Sequence, residues 1–161
     1  MKDEALVQAL SKPTDYSSNF GQVVEQLSIK VSQTFGMNFF HNGHMDYSSA
    51  QTIELWLGEA HEPVGARTVA CYGIRIFVSS KGSFCAIRSV IKISPRHWIP
   101  LPDNERDENI KACIQKVEQT LAEEGYASLP RSVLSQQVEG HLTRLDKLPA
   151  TVFQVLFSEL D

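Results

Sequence analysis

The sequence predicts an α+β fold, a single domain in which an antiparallel sheet with a long central hairpin carries two main helices on one face. Three observations predict it. Two segments, about 18–35 and about 104–124, repeat apolar residues at three- and four-residue steps. Between them lie two β-rich runs, Arg67–Val78 and Ser83–Ile93, joined by Ser79-Ser80-Lys81-Gly82, a loop of hairpin length ending in Gly. The chain has 161 residues, 42% hydrophobic and 21% charged, which suits one ordinary globular domain, and no repeat or Gly/Ser linker divides it.

A short helix over Asp3 to Leu10 would end before Pro13. The first long helix, Ser18 to Phe35, aligns Phe20, Val23, Val24, Leu27, Val31 and Phe35, with Ser17 or Ser18 as cap and Gly36 as stop. Residues 51–57 alternate, Ile53, Leu55 and Leu57 against Thr52, Glu54 and Trp56, as a half-buried strand does. In the hairpin, pairing Val78 with Ser83 sets Ile76 opposite Cys85 and Phe77 opposite Phe84. One face then carries Tyr72, Ile74, Ile76, Val78, Cys85, Ile87 and Ile91, and the other Arg67, Arg75, Arg88 and Lys92. The three prolines of Ser94–Pro102 predict an irregular connection. The second long helix, Asn104 to Glu124, aligns Ile110, Cys113, Ile114, Val117 and Leu121, capped by Asp103 or Asn104 and stopped by Gly125. Beyond it the sequence suggests a short helix over Ser132–Val138, an extended His141–Leu145 and a strand over Ala150–Phe157, although Val152, Phe153, Leu156 and Phe157 also fit helical spacing.

The net charge is −4, which leaves no overall basic excess for holding nucleic acid. It is unevenly spread: residues 65–100 carry 6 basic and no acidic residues, whereas residues 101–125 carry 3 basic and 7 acidic. The hairpin is a cationic element in an anionic protein, and Arg75 and Arg88 either pair with acids or meet a partner. No apolar run approaches the ~20 residues of a spanning helix. Asp3 and Glu4 stand where a signal peptide would carry cations, and three cysteines suit a reducing, cytoplasmic setting.

Catalytic constellations are weakly represented. His41, His44 and Asp46 have ligand chemistry, but Asn42-Gly43 between them signals a turn rather than the helix that would align both rings. Cys85 and Cys113 fall on apolar stripes, and Cys71 lies on the basic face with no histidine tied to it. There is no Gly-rich phosphate loop and no nucleophile elbow. His141 stands alone. The sequence therefore predicts a binding protein without a cofactor. Asp103, Glu105, Asp107 and Glu108 are the acidic candidates for partner binding, with Trp98 as apolar anchor and Arg75 and Arg88 as the basic face.

The closing run Pro149-Ala150-Thr151-Val152-Phe153-Gln154-Val155-Leu156-Phe157-Ser158-Glu159-Leu160, with the small size, negative charge and lack of a catalytic cluster, resembles the small acidic immunity proteins that bacteria co-produce with contact-dependent or polymorphic toxins. The resemblance implies a cytoplasmic inhibitor that binds a cognate toxin, often a basic nuclease, and occludes its active site. It implies no direct contact with nucleic acid or membrane, and a free protein that is a monomer or weak dimer. Two alternatives remain open. One is a homodimeric secretion chaperone of the type III kind, which such an order of helix, strands and helix also resembles. The other is a small metal-dependent hydrolase using His41, His44 and Asp46.

Overall fold

The computed structural model of the protein describes residues 3–35, 39–63, 69–94 and 97–160. At its centre β3 (Val69–Ser79) and β4 (Phe84–Ser94) form the expected hairpin, and β2 (Ala50–Pro63) pairs antiparallel with β3. Two short strands, β1 (Phe39–Asn42) and β5 (His97–Pro100), extend the sheet to the order β1-β2-β3-β4-β5. The two-residue β6 (Ala127–Ser128) adds in parallel beside Phe84 and Cys85 of β4. The α+β class is as the sequence predicts, with more strands than expected.

The hairpin register differs from the expected one by two residues. Val78 pairs with Cys85, Ile76 with Ile87, Ile74 with Ser89 and Phe77 with Ala86. The loop starts one residue later because Ser79 stays in β3 opposite Ala50, while the Ser80 amide and hydroxyl both donate to the Ser49 carbonyl. An even shift returns each side chain to its own face, so the division into apolar and basic faces survives. The proline-rich connection is likewise not wholly irregular. Its residues 97–100 pair with β4 as an edge strand, where Pro100 at the end removes no ladder bond that the sheet needs.

Against the apolar face lie α2 (Ser18–Phe35) and α3 (Glu108–Glu123). Val24, Leu27 and Val31 of α2 and Ile110, Ile114, Val117 and Leu121 of α3 pack onto Ile53, Leu55, Ile74, Ile76, Val78 and Cys85. Val23, expected on the stripe, points to solvent instead. Ser17 Oγ accepts from the Phe20 amide at the start of α2; Gly36 lies outside the described residues. Lys30 Nζ meets the Glu124 carboxylate at 2.7 Å, tying α2 to the end of α3. Gly125, at φ 87°, ends α3 as expected. Its start is corrected: Asp103–Glu105 form one 3-10 turn, and Asp107 is the true cap, accepting from the Ile110 amide at 2.8 Å. The break falls at Arg106, whose backbone is extended and whose guanidinium is drawn to Ser89 Oγ on the sheet.

Helices also cover the other face, contrary to expectation. There α1 (Glu4–Ser11), capped by Asp3, and α5 (Val152–Leu156) bury Leu6, Ala9, Leu10, Val152, Phe153, Leu156 and Phe157 against Ala50, Phe77, Phe84 and Ala86. The Phe77 ring meets Phe153 and Phe157 edge-on at 5.2 and 6.4 Å. Thr52 and Glu54, read as solvent-side, are buried by this second layer. The end of the chain is the most revised part. After α4 (Arg131–Leu134) the chain runs as β7 (Gln137–Leu142) rather than helix, and Gly140, at φ 75°, sits within that strand where the register shifts instead of stopping a helix. The strand expected over Ala150–Phe157 is only β8 (Pro149–Thr151). Thr151 then caps α5 in a reciprocal box with Gln154, which turns the remaining residues into helix.

Candidate partner-binding surface

At the β5 edge of the sheet two tryptophans meet on the face away from α2 and α3. Lys92 of β4 pairs with Trp98, and one step inward Trp56 of β2 lies opposite Gly73 of β3. A Cβ at Gly73 would stand 3.1 Å from Trp56 Cζ3 and 3.1 Å from the Leu55 carbonyl oxygen, so glycine leaves space for the indole over β3. Trp56 thus reaches Trp98, their ring centroids 4.5 Å apart and 22° from parallel. Lys92 Nζ sits over both rings, at 4.3 and 5.2 Å. Trp98 is half-buried in this stack, whereas its neighbour Ile99 is exposed.

Directly after β5 the chain presents its carboxylates. Leu101 is fixed to β4 through its amide to the Ser89 carbonyl and through Ser89 Oγ to its own carbonyl. Arg106 Nε donates to Ser89 Oγ at 2.7 Å and its Nη2 meets Asp103 at 3.0 Å. These bonds draw the cation inward, with its side chain 19% exposed, while Asp103 is 59% and Glu108 92% exposed. Glu105 is exposed, Asp107 is engaged in capping, and Glu108 pairs with Lys111 at 3.2 Å. The four acidic candidates therefore lie together on the anchored turn and the start of α3, a few residues after Trp98.

Arg75 and Arg88 lie elsewhere on that sheet face and are occupied within the fold. They are direct cross-strand partners, and Arg75 is also opposite Glu54. Arg75 Nε lies 3.5 Å from Glu54 Oε1, with side chains 20% and 9% exposed. The Arg75 guanidinium is 5.1 Å from the Phe77 ring, and that of Arg88 is 3.9 Å from Phe153. Arg88 thus ties the second layer to the sheet, and Arg75 lies against Glu54 and Phe77 within it. Lys81, in the hairpin loop, has its ammonium pKa lowered by burial and by nearby Arg144. Arg67 and Arg96 lie outside the described residues.

The histidine cluster does not converge. His41 Nε2 bonds Gln51 Oε1 at 2.6 Å on the α2 side of the sheet. Asn42 Oδ1 accepts from the His44 amide, making the local turn, and His44 Nδ1 stands 3.8 Å from Asp46 with both side chains exposed. Among the described residues no three His, Cys, Asp or Glu side chains are placed to hold a metal ion. Shallow clefts of about 410 and 180 Å³ flank this loop, the smaller one reaching the buried Thr52 hydroxyl. Cys85 is fully buried and its thiol is pushed up to about 12, chiefly by burial, and burial also raises Cys113. Cys71 is half-buried across from Lys92, and His141 Nδ1 meets the nearby Glu139 carbonyl.

Sequence reasoning picked out Trp98 and missed Trp56 as its partner. The signal was present: Trp56 stands on the Thr52–Glu54 side of an alternating strand, where a large apolar side chain needs something to cover it. The run that carries the family resemblance packs the second core, since Val152, Phe153, Leu156 and Phe157 are all buried. Comparison with family models, with curated proteins and with solved structures finds no match.

Proposed function

We propose that this protein is a cytoplasmic inhibitor of the immunity type, which binds a basic protein toxin, most simply a nuclease, and occludes its active site. One observation supports this above the others: exposed carboxylates of residues 103–108 follow directly on the edge strand β5 and are anchored to the sheet by Arg106 and Ser89. An anchored acidic rim beside an apolar edge suits a cationic cleft, because complementary charge steers encounter and the apolar edge then excludes water. In this reading Asp103, Glu105 and Glu108 face the toxin's cations, Asp107 holds the helix start, and Trp98 is the anchor. The inhibitor needs no cofactor and performs no chemistry.

The test is a tagged pull-down from the producing cell, followed by light scattering on the eluted complex and titration of its purified components. The reading expects a one-to-one complex with a basic protein. Glu105→Lys with Glu108→Lys is expected to weaken that complex at least tenfold, and 0.5 M salt, on the order of five times the usual ionic strength, to weaken it further. A stable homodimer holding an extended secreted segment would replace this reading with the chaperone. Stoichiometric zinc or manganese on a lone monomer would replace it with the hydrolase.

A further inference from the structure

We propose that the smaller cleft beside the His44–Asp46 loop binds a small aliphatic carboxylate. Three segments of the chain wall it. The loop between β1 and β2 supplies His44, Asp46 and Ser48, and the end of the chain supplies Ser158 and Leu160. The sheet beneath supplies Asn42, Thr52 and Arg75. Asn42 and Thr52 are direct cross-strand partners, as are Glu54 and Arg75 two residues along. A bridge between Ser48 and Ser158, with the Ser49 amide donating to the Phe157 carbonyl at 2.7 Å, fixes the end of the chain against the loop.

The polar groups of the cleft are unequally engaged. Asn42 Oδ1 accepts from the His44 amide at 2.9 Å, Ser158 Oγ from the Leu160 amide at 3.1 Å, and Ser48 Oγ from the Ala50 amide at 3.1 Å. Ser48 Oγ also donates to the Ala50 and Phe157 carbonyls. Thr52 is different. It is 7% exposed, and its hydroxyl has no hydrogen-bond partner. An unpaired buried hydroxyl costs about 1–3 kcal/mol, which a ligand oxygen at the floor of the cleft would recover. With its Oδ1 engaged, Asn42 offers the cleft its amide protons. The hydroxyl and amide groups left over are therefore donors, and they select a ligand that accepts.

The charge beneath the cleft sets the charge of that ligand. Arg75 and Arg88 are cross-strand neighbours beside the single carboxylate of Glu54, so the row carries one net positive charge. Arg75, its side chain 20% exposed, brings that charge to the cleft. Asp46 does not cancel it, because its side chain is 85% exposed, 3.8 Å from His44 and screened by water. A monoanion balances the row, whereas a phosphate group carries nearer two charges. The volume of about 180 Å³ far exceeds the ~10–15 Å³ that one water needs, so several heavy atoms can enter. Ala50 and Leu160 offer an apolar wall to a short alkyl tail. A carboxylate of acetate or propionate size meets these demands. The site shares no residue with the acidic turn and does not depend on it.

The test titrates sodium propionate into the ¹⁵N-labelled full chain at constant ionic strength, with sodium chloride as balance. Nuclear magnetic resonance follows the Asn42 side-chain amide and the Thr52 backbone amide. We expect saturable shifts confined to the cleft, with half-saturation in the millimolar range. Thr52→Val removes the hydroxyl at nearly constant shape. It should weaken binding at least tenfold while the thermal melt is retained or raised. Asp46→Asn, which removes the rim charge, should tighten binding at least twofold. Unsaturated, linear shifts would mean that water alone meets the Thr52 hydroxyl, and would overturn the proposal. So would phosphate binding at least as tightly as propionate, unchanged binding by Thr52→Val, or weaker binding by Asp46→Asn. Glu105→Lys with Glu108→Lys should bind propionate as the parent does, so failure of the acidic-turn reading is seen separately.

Discussion

Glu54→Gln tests whether the buried charge row organises the outer face of the sheet. The substitution keeps the side-chain volume and removes one negative charge, while Arg75 and Arg88 remain direct cross-strand neighbours. Breaking a buried ion pair by neutralising one member costs about 3–5 kcal/mol, since the surviving charge stays desolvated. Here the Arg75 side chain keeps 20% of its exposure and a ring contact with Phe77. That relief lowers the expectation to about 2–4 kcal/mol. At about 2–4 °C per kcal/mol for a chain of this length, Tm should fall by roughly 4–16 °C. Urea denaturation of Glu54→Gln, Arg75→Met and the double variant then separates the pair from its surroundings, and a coupling of at least about 1 kcal/mol is expected. A Glu54→Gln variant within about 0.5 kcal/mol of the parent would refute the argument, because it would mean that the row is already well hydrated.

Other outcomes follow from single contacts. Gly73→Ala should tilt the Trp56 ring off Trp98, because the new Cβ would stand 3.1 Å from both the indole and the Leu55 carbonyl oxygen. We expect a loss of about 1–2 kcal/mol and a changed near-ultraviolet circular dichroism spectrum, and an unchanged spectrum would count against the stack. Cys85, buried with its thiol pushed up to about 12, should resist iodoacetamide at about pH 8, where an ordinary thiol is partly ionised, until the chain is unfolded. Rapid native labelling at Cys85 would contradict its burial. The Asp146 carboxyl is held below its ordinary 3.8 first by Thr143 and then by the Leu148 amide. Its folded value is depressed, so its contribution to the hairpin is fully present above 3.8 and is lost as pH falls through the lower folded value. Amide exchange at Leu148 should therefore accelerate in that acid range, and a flat pH profile would speak against the Thr143–Asp146–Leu148 contacts.

What was legible in the sequence was what depends on one periodic face. The stripes Val24–Leu27–Val31 and Ile110–Ile114–Val117–Leu121 repeat often enough for each helix to be read from itself, and the alternation of Ile74, Ile76 and Val78 places the sheet face even when the register is two residues out. The second layer was not legible in the same way. Its helices, with Leu6, Ala9 and Leu10 in one and Val152, Phe153 and Leu156 in the other, come from opposite ends of the chain, and the polar side chains of the sheet beneath them read as a solvent face. Arg75 and Arg88 are charged by type and yet pack against aromatic rings, with Glu54 buried beside Arg75, so a charge count took as surface what the fold uses as mortar. A capping residue decided the rest: Thr151 with Gln154 outweighs the β-rich composition of the residues after it.

For the candidate surface the division is the same. The acidic residues at 103–108 stand in one short stretch and were visible as a run. Their orientation was not, since it depends on Arg106 reaching back to Ser89, 17 residues earlier. The turn between β7 and β8 was not legible either, because Thr143, Asp146 and the distant Glu159 close it with side-chain bonds. A local run announces that a surface exists, and a long-range polar contact decides which way it faces. The polar anchor Arg106, under the acidic turn, is therefore the position where a change should disturb binding without touching a partner, whereas Glu159 holds the β7–β8 tip in place.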